Sequence, residues 1–448
     1  MHSKLKTNRN RRAFIQQGLQ ASLFFGVAPY IKAAPPARYR TALIGCGWWG
    51  MNVLHEAMAA KRAKVVGLCD VYERPMLASK DEVSQRTGEQ PRCYKDYRDL
   101  LQRERPEVVI VATPDHWHAL PCIEALKTGA HVYVEKPTSH TIGESRAMLH
   151  ASRASDRAVQ VGLHRRIGPH HLSGMQFLKS GKVGTIGMVR LFVTGGGGGP
   201  ETPVGHTKPP TGMDWDMWCG PAPSRPYCRK LTPGGWRNFL DYANGTLGDW
   251  GVHWLDQLLW WSEETSPKTV YSTGGRPVLG PAIFNDKEGS TSDAPDTQTV
   301  SYAFENFTAV WEHRKYAGNA QEHHRIGAYF YGSKGVFHMG WRDGWTFYPK
   351  SKGEPVVHED PSFDNEKDGH NVTPLWKDFL RAADEGGSPV AGMEVAHRSS
   401  VLPMLGMISH KLGRSIQWDG NRETILNDPE AERMIQRDYR TPWVYPSI

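Results

Sequence analysis

Three glycines, Gly45, Gly47 and Gly50, stand at a spacing that only a few folds use. An apolar run from Thr41 ends at Leu43 and Ile44 just before them, and Met51 to Ala60 just after them has apolar residues at helical spacing. Strand, tight turn and helix in that order bring the unpaired N–H groups of a helix N-terminus to the turn. There the first glycine permits the reversal, the second lets a pyrophosphate approach the backbone, and the third lets helix and strand pack closely. A second strand, 64–69, ends in Asp70, twenty residues past Gly50. An acid at that distance accepts from the adenosine ribose 2′-hydroxyl and repels a 2′-phosphate. The pattern predicts a dinucleotide site, NAD in preference to NADP, with Arg74 as the one neighbour suited to a phosphate. Trp48 and Trp49, between the second and third glycines, are expected to touch the cofactor.

Residues 1–34 read as an export signal. Asn10-Arg11-Arg12-Ala13-Phe14-Ile15-Gln16 resembles a twin-arginine motif, and the apolar stretch that follows, Leu19 to Ile31, is too short and interrupted to span a bilayer. Ala33 and Ala34 offer a cleavage point. Cleavage there removes Lys4, Lys6, Arg9, Arg11, Arg12 and Lys32 but no acid, so the formal charge falls from +7 to +1. The basic balance thus belongs to the signal, and neither a nucleic-acid partner nor, after signal removal, a membrane is expected. The expected location is the periplasm, reached folded by the twin-arginine route. A basic tail on a cytoplasmic protein is the alternative.

About 410 residues remain, enough for two domains with real cores. Strands predicted at 41–45, 64–69, 107–112, 130–134 and 158–162 alternate with helices, the signature of an α/β, doubly wound parallel sheet over 38–163. The third strand runs into Ala112-Thr113-Pro114-Asp115-His116-Trp117-His118, and a loop at the carboxyl end of a parallel strand lines the nucleotide crevice. Asp115, His116 and His118 lack a further convergent ligand and are not read as a metal site. The fourth strand leads to Glu135-Lys136-Pro137, a lysine placed where the dinucleotide would react. The six cysteines form no CxxC and no Cys/His cluster of zinc spacing, so no metal is expected. Cys219 and Cys228, nine positions apart, could pair in an oxidising compartment but read as free small residues.

Gly45-x-Gly47-x-x-Gly50, Ala112-Thr113-Pro114 with His118, and Glu135-Lys136-Pro137 together resemble the Gfo/Idh/MocA family, the glucose-fructose oxidoreductase and inositol dehydrogenase relatives that act on sugars with NAD(P). The resemblance continues through Gly162-Leu-His164-Arg165-Arg166, Gly245-Thr-Leu-Gly-Asp249-Trp-Gly-Val-His253 and Tyr439-Arg440-Thr-Pro-Trp443. It implies a second, α+β domain over 164–448 with an open, mostly antiparallel sheet whose exposed face often joins dimers or tetramers. Strand-like runs at 186–194, 268–274, 297–304, 307–314, 326–332 and 335–339, after a helix at 169–180, agree. The glycine- and proline-rich stretch Gly195 to Pro210 is expected to be a flexible lid or an oligomer contact.

Asp249 and His253, four apart on a helical segment, project on one face. The resemblance sets this acid and histidine across the substrate from the nicotinamide, beside Lys136. Oxidising an alcohol requires removal of the hydroxyl proton, which suits a group with a pKa near working pH, so His253 is assigned as the general base. Lys136 is expected to stabilise charge on the reacting oxygen, with its pKa lowered by burial beside the nicotinamide, and Asp249 to orient Lys136 or His253. His164, Arg165 and Tyr242 are candidates for the substrate pocket with His253, as are Trp311, His313, His323 and His324. The cofactor set is Gly45, Gly47, Trp48, Trp49, Gly50, Asp70, Thr113, Pro114, His118, Glu135 and Lys136. An exported enzyme of this kind is expected to hold its NAD tightly and to recycle it on a second sugar or by returning the hydride to the same substrate. The alternative activity is NAD-dependent glycoside cleavage through transient ring oxidation and elimination; a branch of the family with that activity lacks the lysine that stands here as Lys136.

Overall fold

The computed structural model describes residues 38–285, 287–318, 322–362 and 370–447, so the twin-arginine motif and its cleavage point lie outside the described residues. The first part of the chain alternates β1 (Tyr39–Ile44), α1 (Trp48–Ala59), β2 (Ala63–Cys69), α2 (Glu73–Thr87), β3 (Arg92–Tyr94), α3 (Tyr97–Glu104), β4 (Val108–Val111), α4 (Ala119–Lys127), β5 (His131–Val134), α5 (Ile142–Ala154) and β6 (Val159–Val161). The six strands pair in parallel in the order β3-β2-β1-β4-β5-β6. That is a doubly wound α/β sheet whose strand order reverses between β1 and β4, and their carboxyl ends open into a crevice. Helices cover both faces, which is why Val108-Val-Ile-Val111 is buried throughout. β3 escaped the sequence reading because Arg92-Cys93-Tyr94 is a half-exposed edge with no apolar run.

α6 (Pro169–Lys179) leads into the second sheet through β7 (Ile186–Gly197). The remaining elements are α7 (Trp215–Cys219), α8 (Val252–Ser262), β8 (Thr269–Gly275), the short pair β9 (Phe284–Asn285) and β10 (Gly289–Ser290), β11 (Thr297–Ala303), β12 (Thr308–Tyr316), β13 (Ile326–Gly332), β14 (Gly335–Gly340), β15 (Trp345–Pro349), β16 (Val357–Glu359), α9 (Val372–Glu385), α10 (Met393–Leu412), β17 (Ile416–Asp419), β18 (Thr424–Leu426) and α11 (Pro429–Arg433). Ten strands run β16-β15-β14-β13-β7-β12-β11-β8-β17-β18, antiparallel except for the β7/β12 pair. One face packs Trp311, Phe330 and Val300 against Trp254, Leu258, Leu402 and Leu405 of α8 and α10. The other carries Met188, Tyr271 and Tyr348, each more than two-fifths exposed.

The expected loop at Gly195 begins instead as strand, because β7 runs on through Gly197 and pairs there with Tyr316. A Cβ on Gly195 would lie 3.0 Å from Lys315 Cα, so glycine is what admits the neighbouring backbone. The chain then returns to the first sheet: Val372, Leu375, Trp376 and Phe379 of α9 belong to the core around β1–β6. Residues 38–448 consequently form one compact unit. The six cysteines are free, Cys219 and Cys228 included.

Candidate active site

A cleft of about 910 Å³ runs from the Gly45–Gly50 turn to Asp249 and His253. Gly45 sits at φ +97°, and a Cβ there would meet Ala112 O at 2.6 Å; one on Gly50 would meet Gly45 O at 2.1 Å. Gly47 differs, since nothing lies within 4 Å of its would-be Cβ. It is also the N-cap of α1, which has no side-chain cap and no acid in its first turn. The free N–H groups and positive end of this helix therefore face the cleft uncompensated, the arrangement that holds a pyrophosphate.

Asp70 lines the same end of the cleft. Its Oδ2 accepts from Cys46 N and its Oδ1 from Tyr72 N, both at 2.8 Å, so the carboxylate also shapes the glycine turn. Burial pushes it up to about 6 against those two bonds. Each oxygen keeps a second lone pair for a hydroxyl donor, and Arg74 lines the cleft nearby. Trp48 stands exposed at the helix start with Trp49 beside it, ring centroids 5.2 Å apart, and Trp49 reaches edge-on toward His164 and His370.

Thr113 and Pro114 follow β4, and Glu135 and Lys136 follow β5; all four line the cleft. His118 ties these two turns together, its Nδ1 2.7 Å from Pro137 O and its Nε2 2.9 Å from Thr113 O. Burial lowers this imidazole to about 4 against those two carbonyls; as a neutral ring it donates from one nitrogen only, to one of the two at a time. Glu135 is buried, accepts from Lys136 N at 3.2 Å, and fits because Gly162 has no Cβ to meet its carboxylate.

Lys136 Nζ donates both to Asp249 Oδ1 and to Asp249 O, each at 2.7 Å. Asp249 lies in a single π-helical turn, Leu247–Gly251, that precedes α8, a distortion that recurs at functional sites. Arg237 Nε reaches the same Oδ1 at 3.3 Å. Burial would raise the Asp249 carboxyl, but Lys136 and Arg237 together bring it down to about 2. Asp249 thus engages Lys136, and no bond joins it to His253. His253 is 4% exposed, with Nδ1 unpartnered, stacked on His164 at 4.9 Å and edge-on to Trp341 at 5.1 Å. Burial, then Lys136 and Arg165, holds it well below the usual histidine range, so it is neutral with an open lone pair but a weaker base than the expected group with a pKa near working pH.

Of the expected substrate residues, His164 lines the cleft and Arg165 is buried with its guanidinium 3.6 Å over Trp341. Tyr242 is not brought to the cleft. It is fully buried against Trp218 and His116, with its hydroxyl on Pro223 O, because the 213–243 segment builds its own small apolar cluster. Trp311 and His313 sit inside or beneath the second sheet, and His323 and His324 lie outside the cleft. Arg237, Trp236, Trp250, Trp341 and His370 line the cleft without having been singled out for it, and Asp115 lines it as part of the loop after β4 that was expected to. Asp115 is buried and pushed up to about 8 despite Arg237 and Lys136. Only its place after β4 announced it; Trp341 and His370 had no motif at all.

These buried groups set a pH dependence. His116, His118 and His313 are lowered by burial to about 3, 4 and 3, so the folded chain binds fewer protons than the unfolded one below the unfolded pKa near 6.5. Stability is therefore full above that value and falls with acid, by about 2 kcal/mol per such histidine at pH 5. Asp115 and Asp70, raised to about 8 and 6, act oppositely over part of the window, but the histidines outnumber them. The thermal midpoint is expected to drop steeply between pH 6.5 and 5; a flat profile in scanning calorimetry would contradict neutral burial.

Comparison with known proteins matches residues 39–163 to the oxidoreductase family's NAD-binding Rossmann fold, Gfo/Idh/MocA, and residues 199–274 and 371–445 to that family's C-terminal alpha/beta domain. Glycosyl hydrolase family 109 protein 1 of Akkermansia muciniphila is 26% identical over 153 residues, 33% of this chain and 32% of that protein. The chain thus spans about a third of the length of the relatives it matches. Among solved structures, an oxidoreductase domain protein from Kribbella flavida has TM-score 0.66 at 20% identity, covering 85% of this chain and 99% of that one. Levoglucosan dehydrogenase in complex with NADH and levoglucosan has TM-score 0.64 at 19% identity with the same coverage, and the Bordetella pertussis WlbA dehydrogenase in complex with NADH and UDP-GlcNAcA has 0.60 at 17%, covering 85% and 99%. At these identities the likeness is one of fold.

Proposed function

We propose that this chain, a member of the Gfo/Idh/MocA oxidoreductase family, is an NAD-dependent oxidoreductase that oxidises a CH–OH group of a sugar or sugar derivative. The observation that carries this reading is Lys136 Nζ held between two Asp249 oxygens beside a neutral His253 at one end of a cleft whose other end is an uncapped glycine turn. The residues fit the cofactor: Gly47 leaves open space at the helix start, and Asp70 keeps acceptor capacity for a ribose. Gly45, Gly47, Gly50, Asp70, Thr113, Pro114 and Glu135 would hold it, and NAD when bound supplies the hydride acceptor.

Lys136 has three N–H donors and spends two on Asp249, which leaves one for the substrate oxygen. That bond stabilises negative charge as the hydroxyl loses its proton. His253 takes the proton at Nε2 and returns it in the reverse direction. Asp249 aims Lys136, and Arg237 shares that carboxylate. Trp250, half-buried in the cleft lining, offers an aromatic surface to the apolar side of a sugar ring. The sugar-binding solved structures named above support this substrate class.

A second reading, glycoside cleavage by transient oxidation, draws on the names of the family 109 relatives. In it an oxidised ring carbon acidifies the neighbouring C–H, that proton and the glycosidic group leave by elimination, water adds across the double bond, and the hydride returns, so no net NADH forms. Lys136 stands against it. Aryl-glycoside release without NADH accumulation would favour it over the dehydrogenase.

We also propose export by the twin-arginine route to the periplasm, with NAD loaded beforehand and retained, and assembly through the exposed face of the second sheet. Protein purified without added cofactor and then denatured is expected to release near-stoichiometric NAD or NADH by mass spectrometry. Empty protein that takes up NAD would point to a dissociable cofactor. Empty protein that binds neither NAD nor NADP would overturn the oxidoreductase reading.

A further inference from the structure

We infer that His324, His338 and Asp343 form a binding site for a divalent metal ion of the zinc class, outside the cleft. His338 lies in β14, where alternation sends its neighbours Phe337 and Met339 into the second core and turns His338 to the opposite side of the sheet. His324 precedes β13, the antiparallel neighbour of β14, and Asp343 follows β14 in the turn to β15. One ligand atom from each of the three lies within 4.8 Å of the others.

His338 is fully buried, and neither of its ring nitrogens has a hydrogen-bond partner among the described residues. An unpaired buried polar group is costly, and coordination would satisfy it. The His324 ring stacks on His338 at 3.6 Å, and its Nδ1 already meets Asp343 Oδ2 at 2.6 Å. Two glycines make the space. A Cβ on Gly327 would come within 2.6 Å of His338 Nε2, and one on Gly340 within 1.8 Å of Asp343 Oδ1. Two imidazoles and a carboxylate are a borderline ligand set, suited to zinc, cobalt or nickel rather than calcium or magnesium. Coordination at about 2.0–2.2 Å requires the two rings to swing out of their parallel stack and the ligand atoms to close together.

The site has a mechanical consequence. Asp343 is two residues from Trp341, in a turn closed by Gly340 N donating to Gly344 O at 2.9 Å. Trp341 lies under Arg165 and against His253 in the cleft. A metal that anchors Asp343 fixes the turn that carries this indole. The ion itself would be structural, and its binding does not depend on how the cleft is read.

The test uses the full purified chain, stripped with chelator and titrated with zinc or cobalt chloride alone. The expected result is one ion per chain by elemental analysis, a cobalt absorption spectrum of nitrogen and oxygen ligation, and a raised thermal midpoint that chelator reverses. His324→Ala and Asp343→Asn, both at partly exposed positions, should each weaken zinc binding at least about tenfold while NAD binding is unchanged. His338→Gln should behave alike where it folds. Absence of stoichiometric zinc binding, or binding of unchanged affinity in the His324 and Asp343 variants, would overturn the proposal.

Discussion

Replacement of Lys136 by Met is expected to lower turnover about 10²–10⁴-fold while leaving dinucleotide affinity within a few-fold of the parent. The long methionine keeps most of the side-chain volume but removes the N–H donors that Asp249 holds at 2.7 Å. Asp249 Oδ1 is then left with Arg237 at 3.3 Å in place of a 2.7 Å ion pair, and its carboxyl should rise from about 2. The glycine turn and Asp70 do not touch Lys136, so the cofactor's phosphates and ribose keep their partners. Single-turnover NADH formation with a panel of sugars, alongside NAD binding by calorimetry, separates the two effects. Turnover near the parent rate would mean that Lys136 only ties the turn after β5 to the helix bearing Asp249.

The second large effect is expected at Gly50. A methyl group there would stand 2.1 Å from Gly45 O and 3.3 Å from Ala112 Cβ, and backbone cannot yield as a flexible side chain can. Gly50→Ala must push α1 away from the turn, and NAD affinity should fall at least about 100-fold, equivalent to about 2.7 kcal/mol. The thermal midpoint should fall with it. Gly47→Ala gives the complementary result, because its φ of −73° and ψ of 176° suit alanine and nothing lies within 4 Å. Its thermal midpoint should match the parent while NAD binding weakens, since the added methyl occupies the approach to the helix start. Equal NAD affinity in parent and both variants would show that the dinucleotide binds elsewhere.

The legibility of this chain differed by element. The buried parallel strands announce themselves as short apolar runs, and the antiparallel strands 186–197, 269–275, 297–303 and 308–316 as alternation, because each pattern reflects which faces are covered. β3, β15 and β16 carry no such signal, being short or at an edge. Lys136 and Asp249 were singled out from motifs, and the chain brings them to 2.7 Å across 113 positions of sequence. Tyr242 was a candidate on its chemistry alone, and the local 213–243 cluster claimed it for packing. Arg237 and Trp341 went unremarked because neither belongs to a motif; the groups packed on Trp341, Arg165 and His253, come from distant segments.

Sequence by itself determined what short-range geometry dictates: the glycine turn, the parallel sheet around it and the lysine at the end of β5. Each rests on backbone constraints within a few residues, which spacing records directly. Tertiary structure alone decided that Asp249 would hold Lys136 rather than His253, that Arg237 would share its carboxylate, and that α9 would return to the first core. Those outcomes turn on side chains more than a hundred positions apart competing for the same partner in a buried space. No local pattern encodes such a competition; only the packed chain resolves it.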